Sequence, residues 1–150
     1  MNTDDAYMAG FFDGEGYVGV MKRIRRGKYT EYFLQMSIGQ KDGEIMDWVK
    51  ENYGGHLHLV KRDGSHYWIA SNRAAYNVLK RITPYLKYKK PQAILALSFF
   101  EGYERNGRAL PPEEVDRREK ILNDLKKEKR VFTKSSLSYR AGSTTKRAEA

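Results

Sequence analysis

The chain has 150 residues, with 28 Lys and Arg against 19 Asp and Glu and a formal net charge of +9 at pH 7. That length suits one domain able to bury a core without staples, and the absence of cysteine excludes a disulfide framework or a thiolate zinc site. No stretch reaches the roughly 20 consecutive apolar residues of a membrane helix, and the acidic start at Asp4 and Asp5 is unlike a signal peptide or organellar presequence, so a soluble, intracellular protein is expected.

Residues 4–14 read as a short helix. Tyr7, Met8, Phe11 and Phe12 supply its bulk, while Ala6, Gly10 and Gly14 recur every fourth position and leave one face bare. Thr3 or Asp4 suits its N-cap. From Tyr17 the period changes to alternation: Val18, Val20 and Ile24 point one way, Met21, Arg23 and Arg25 the other. Arg26, Gly27 and Lys28 make a turn, after which Tyr32, Leu34, Met36 and Ile38 alternate with Glu31, Phe33, Gln35 and Ser37. The two runs form a hairpin with a polar outer face.

Asp42 caps a helix carrying Ile45, Trp48, Val49 and Tyr53 that stops at Gly54 and Gly55. A second hairpin comes next, in which Leu57 and Leu59 alternate with His56 and His58, Asp63 and Gly64 turn, and Tyr67 and Ile69 alternate with His66 and Trp68. Asn72 caps a helix ended by Pro84, Pro91 starts another, and a charged helix opens at Pro111 and Pro112. The expected fold is α+β: an αββαββα unit whose four-stranded antiparallel sheet carries helices on one face, plus C-terminal helices. Residues 1–130 form the domain. Residues 131–150, basic and rich in Ser and Thr, read as a loosely ordered tail, either plain or lying along phosphates.

The segment from Met8 to Gly16 breaks a local rule. Asp13 and Glu15 sit at the C-terminal end of a helix, where the dipole disfavours acids by roughly 0.3–1 kcal/mol each. Gly14 and Gly16 flank Glu15, which permits a positive φ or close approach by another backbone. If the bare helix face meets its own copy across a two-fold axis, two Glu15 side chains come together and need cations between them. Hard divalent ions there could activate water against a phosphodiester. An ordinary glycine turn with two solvated acids fits the same residues.

Met8 to Gly16 resembles the LAGLIDADG motif, with Met for the first Leu, Phe-Phe for Leu-Ile and an Asp-Gly-Glu-Gly ending. The order of elements and the basic strand directly after the motif extend the likeness to the catalytic unit of LAGLIDADG homing endonucleases, over roughly residues 3–105. The resemblance implies a DNA-cutting, intron-encoded enzyme that uses Mg2+, with Mn2+ as a substitute. It implies Glu15 as metal-binding acid, the Gly14 carbonyl as second ligand, and Gln40 and Lys89 as the residues that organise water and steady the phosphate. Asp13 is expected to cap or hydrogen-bond rather than ligate. One turn beyond Gln40, where some relatives carry a basic residue, this chain has Glu44, for which Lys41 or Lys90 could substitute.

Residues 95–102 echo the motif faintly, but residues 103–130 are charged and helical in character, without an alternating strand, so the echo is expected to be a core helix. One motif requires two subunits, with Ala6, Gly10, Phe11 and Gly14 at the dimer interface and a roughly palindromic double-stranded DNA site. The net charge and the run of Lys22, Arg23, Arg25, Arg26 and Lys28 favour such a polyanion. By parity, Met21, Arg23, Arg25, Glu31, Phe33, Gln35, Ser37, His56, His58, His66 and Trp68 share the free face, where a β-ribbon can enter the major groove. A non-catalytic DNA-binding regulator and an RNA-binding splicing cofactor are the competing readings.

Overall fold

A computed structural model describes residues 2–27, 29–101 and 110–129. Helix α1 (Thr3–Glu15) runs straight into strand β1 (Gly16–Arg25), which pairs antiparallel with β2 (Tyr29–Gln40). Next in the chain are helix α2 (Gly43–Tyr53), strands β3 (His56–Val60) and β4 (Ser65–Ser71), helix α3 (Arg73–Ile82), a short 3-10 turn at Thr83–Tyr85 and helix α4 (Lys90–Ser98). A helix over residues 112–129, α5, closes the described chain. The sheet is antiparallel in the order β1-β2-β4-β3. The α+β architecture and the order of elements are those expected, and the expected tail lies outside the described residues.

The ends of these elements obey side-chain chemistry. Asn2, rather than Thr3 or Asp4, caps α1, its side chain accepting from the backbone N–H groups of Asp4 and Asp5. Asp42 caps α2 through Ile45 N–H at 3.1 Å, and the helix ends where Gly54 and Gly55 take φ of 73° and 74°. Asn72 stands at the N-cap of α3, but its side chain accepts from Leu34 N–H, tying the helix start to β2 instead of capping it.

One face of the sheet is covered. Val18 and Val20 of β1, Tyr32, Leu34, Met36 and Ile38 of β2, and Trp68 and Ala70 of β4 pack against Met8, Ala9 and Phe12 of α1, Met46 and Val49 of α2, and Val78, Leu79 and Ile82 of α3. Burying each large side chain stabilises the fold by about 1.5–3 kcal/mol. Asp5, buried, draws three helices together: it accepts from Tyr53 Oη at 2.8 Å and pairs with Arg81 at 2.9 Å. Ile24 has the core-facing parity, yet it is 73% exposed because the hairpin runs on past the helices.

Trp68 corrects the sequence reading. It is fully buried on the covered face, its indole N–H donating to Gly54 O at 2.7 Å. The register pairs Ile38 with Trp68 and Gln40 with His66, so His66 shares the covered side and Tyr67, Ile69 and Ser71 take the open one. Both parities of β4 are apolar. The larger indole gains more from burial and supplies the donor that the end of α2 lacks.

Helix α5 is locked on through charge. Glu114 accepts from Arg117 at 2.7 and 2.9 Å and from Arg118 at 2.8 Å, and Arg117 in turn donates to Ser98 O and Phe99 O at the end of α4. Tyr32 Oη and Lys22 Nζ both donate to Glu119, and Ile121, Leu122 and Leu125 are buried. The motif-like segment at 95–102 is, as far as it is described, the end of α4 with Ala96 and Phe99 in the core; no strand comes after it among the described residues.

Candidate active site and nucleic-acid interface

Glu15 is the last residue of α1 and lies exposed at the edge of the sheet, where β1 begins. Gly16 is extended, with φ of −91°, and Gly14 lies within α1, so neither uses the positive φ that the sequence allowed. Gly16 is needed for space: a Cβ there would lie 2.2 Å from the Phe12 ring and 2.6 Å from the Phe12 carbonyl oxygen. The abrupt passage from helix to strand therefore depends on a residue without a side chain. Around Gly10 and Gly14 a Cβ would meet nothing within 4 Å. That bare stripe is flanked by Tyr7, which is 54% exposed, and by the half-buried Ala6 and Phe11.

Lys89 is held against the same helix end. Its ammonium donates to Asp13 O at 2.7 Å, and the Asp13 carboxylate accepts from the backbone N–H groups of Lys87, Tyr88 and Lys89 at 2.8, 3.2 and 2.8 Å. Asp13 is thus a brace between α1 and the loop before α4. Burial pushes the Lys89 ammonium below the ordinary lysine value, while Asp13 and Glu15 pull it back up. Lys89 lines an open pocket of about 240 Å³ with Gly16, Tyr17, Tyr88, Gln92 and Lys129.

Gln40 ends β2 on the covered side, and its Oε1 accepts from Lys41 N–H at 2.9 Å. Because Gly16 pairs with Ile38, Gln40 lies two residues, about 7 Å, beyond the start of β1, on the side toward Glu15. Glu44 and both suggested substitutes, Lys41 and Lys90, are exposed and do not line the pocket. Lys129, contributed by α5, joins the site without any sequence pattern pointing to it; it donates to Val18 O at 2.7 Å and stands 3.8 Å from the centre of the Tyr17 ring.

The other face of the sheet carries Met21, Arg23 and Arg25 beside Phe33, Glu31 and Tyr29 in register. Arg23 and Arg25 pair with Glu31 at 2.7 and 3.4 Å, and the Arg23 guanidinium lies over the Phe33 ring. Gln35 and Ser37 continue the row toward Ser71 and Ile69, and His56 and His58 face Ile69 and Tyr67 across β3 and β4. Tyr67 lies over Gly39, where a Cβ would come within 2.7 Å of its ring. The structure therefore gathers on one open face every residue expected there except His66 and Trp68, and adds Tyr67, Ile69 and Ser71. Among the described residues no cluster of three or more His, Cys, Asp or Glu could hold a metal, and no helix is long and apolar enough to cross a membrane.

The described residues thus form a four-stranded sheet bare on one face, with Glu15, Lys89 and Lys129 at its edge. A family model described as LAGLIDADG endonuclease matches residues 8–103, and the chain belongs to that family. Its fold is similar to that of the archaeal intron-encoded homing endonuclease I-Vdi141I, solved in complex with DNA: 23% identity, 84% of each chain covered, TM-score 0.71. It is also similar to the homing endonuclease I-TnaI, at 18% identity over 89% of this chain and 99% of that one, with a TM-score of 0.62. The homing endonuclease I-CvuI, solved with the I-CreI target and 2 mM Mg with the DNA not cleaved, matches at 18% identity over 82% of this chain and 94% of that one, TM-score 0.62. At these identities the likeness is one of fold. No curated protein sequence matches the chain.

Proposed function

We propose that this chain is a site-specific endonuclease that cuts both strands of a long, roughly palindromic DNA site, as a homodimer and with a divalent metal. The observation that carries the reading is the exposed Glu15 carboxylate at the end of α1, next to Lys89 and at the rim of an open, cationic sheet face. The donors there are hard oxygens: the Glu15 carboxylate and the Gly14 carbonyl, which belongs to the last helical turn and lacks an intrahelical partner. These fit Mg2+ or Mn2+ in chemistry and fall short in number, since one protomer offers a single carboxylate. A second Glu15, brought by a partner helix against Gly10 and Gly14, completes the set.

A hard divalent ion, which Glu15 and the Gly14 carbonyl would hold, would supply Lewis acidity there. The chain's own residues do the rest. Lys89, fixed by Asp13, presents a cation to the scissile phosphate and stabilises charge developing on it. Gln40, oriented through Lys41 N–H, offers its amide to the attacking water. Arg23, Arg25, Gln35 and the neighbouring open-face side chains read base edges, and lysines at the rim engage phosphates. Releasing the arginines from Glu31 for guanine is part of that reading.

Selection of cleaved sites from a randomised palindromic duplex library, with Glu15→Gln as control, tests this. Wild type is expected to cut in Mg2+, and Glu15→Gln to bind the selected site with unchanged affinity while its cleavage falls by at least about 1,000-fold. Binding without nicking by wild type would instead support a DNA-binding regulator. Preference for an intron transcript over duplex DNA would support a splicing cofactor.

A further inference from the structure

Lys129 stands 111 residues from Val18 in the chain and yet against it. β1 is an edge strand, and the Val18 carbonyl that receives the Lys129 ammonium lies in that edge. The ammonium is also 3.8 Å from the centre of the Tyr17 ring and 3.3 Å from where a Cβ of Gly19 would be. Tyr17 and Gly19 share the parity of Met21 and Arg23, so Lys129 reaches past the strand toward the open face. The missing side chain at Gly19 makes room chiefly for Tyr17, whose Oη would lie 2.4 Å from a Cβ there, and so for the ring on which the ammonium rests. On its other side Lys129 lines the pocket that holds Lys89.

We propose that Lys129 is a second phosphate-binding cation of this site, which takes a DNA backbone phosphate where the strand passes from the sheet face toward Glu15. The inference rests on reading the open face as the DNA-binding face. It assigns a role in the site to α5, beyond the αββαββα unit. Two cations brought to one pocket from the loop before α4 and from α5 repel each other, a cost that an anion between them removes. Burial and the neighbouring Lys89 accordingly hold the Lys129 ammonium down to about 8. Neither alternative lines the pocket: Lys41 and Lys90 are both exposed outside it. The position of Lys129 is built rather than incidental, since Glu114, Arg117, Arg118 and Glu119 lock α5 onto α4 and β2.

The test compares wild type, Lys129→Met and Lys129→Arg for duplex affinity across salt concentrations in calcium, and for single-turnover cleavage in magnesium. Lys129→Met is expected to reduce the slope of log affinity against log salt by about 0.9, the value for one phosphate contact, and to slow cleavage by about 10- to 100-fold. Lys129→Arg should restore the slope. A residue that only ties β1 to α5 would change thermal stability and leave the salt slope alone. Should Lys129→Met fail to fold, side-chain NMR of lysine ammonium groups in wild type, with the Lys129 signal assigned by its loss in Lys129→Arg, must show it shift on adding duplex. An unchanged slope, or an unmoved signal, with wild-type binding and cutting intact overturns the assignment to Lys129 alone. Absence of duplex binding by wild type overturns the DNA reading and this proposal with it.

Discussion

Asp13 and Lys89 grip each other twice: the Lys89 backbone N–H donates to Asp13 Oδ1 at 2.8 Å, and the Lys89 ammonium donates to the Asp13 carbonyl oxygen at 2.7 Å. Asp13 thereby gathers the N–H groups of the loop before α4, and Lys89 satisfies a carbonyl in the last turn of α1. The exchange sets the distance between the acid at Glu15 and the cation at Lys89. Asp13→Ala is expected to cost about 2 kcal/mol, because three backbone donors lose a charged acceptor in a partly exposed place. A melting temperature lower by roughly 4–8 °C should report it. Cleavage should fall further than stability explains, since the backbone of the loop that carries Lys89 loses its anchor even though the Asp13 carbonyl that receives the ammonium remains; an Asp13→Ala protein as active as wild type would mean that the brace does not position Lys89.

Two glycines, one in α1 and one at its exit, answer to different neighbours, and alanine separates them. Gly16→Ala drives a Cβ into the Phe12 ring and carbonyl, and a backbone oxygen cannot step aside, so about 3 kcal/mol of stability should be lost. Gly10→Ala meets nothing in its own protomer and gains up to about 1 kcal/mol of helix propensity. In a homodimer packed through α1 the same methyl stands between subunits. Sedimentation equilibrium should then show a dissociation constant raised by about tenfold or more for Gly10→Ala. Unchanged association would remove α1 from the interface.

How much of the fold is legible in the sequence depends on whether a pattern is one-sided. In β2 the apolar set Tyr32, Leu34, Met36 and Ile38 faces a row of Glu31, Gln35 and Ser37, and only one orientation buries it well. In β4 both rows are apolar, and tertiary needs decide: the Gly54 carbonyl requires a donor, and Trp68 carries one. Glu15 can be found because an acid at a helix end among glycines is locally costly. The grip of Asp13 on residues 87–89 spans some 75 positions, and the approach of Lys129 to Val18 spans more, so no local periodicity registers either. Contacts of that range come from the sheet and helices packing as a whole.

The orientation of β4 yields opposite expectations for adjacent residues. Trp68→Ala empties a fully buried site and should cost about 3–5 kcal/mol. Trp68→Phe keeps most of the volume but leaves Gly54 O without its donor, for about 1–2 kcal/mol. Tyr67→Ala, on the open face, should change stability by only about 0.5 kcal/mol while altering duplex affinity or site preference. Urea midpoints and site selection on the three variants check this. A site preference altered by Trp68→Phe but not by Tyr67→Ala would reverse the face assignment.

Acid should loosen α5 before it unfolds the rest. The hydrogen bond from Arg117, helped by Arg118, holds the Glu114 carboxyl below its ordinary value of 4.5, against the opposing effect of burial. A carboxylate with a depressed folded-state pKa binds fewer protons in the native than in the unfolded chain, so its contribution is full above the unfolded value and is lost as pH falls through the folded one. Stability measured by urea midpoint should therefore decline below about pH 4.5. Glu114→Gln should remove about 2 kcal/mol at neutral pH, since two guanidinium groups lose their shared partner, and should flatten that decline. Arg117 also caps α4 through Ser98 O and Phe99 O, so the variant weakens the hold of α5 on α4 at its start and, through the helix, the placement of Lys129 at its end. Cleavage by Glu114→Gln should fall at neutral pH even where the protein is fully folded; full activity there would show that α5 keeps Lys129 in place without this pair.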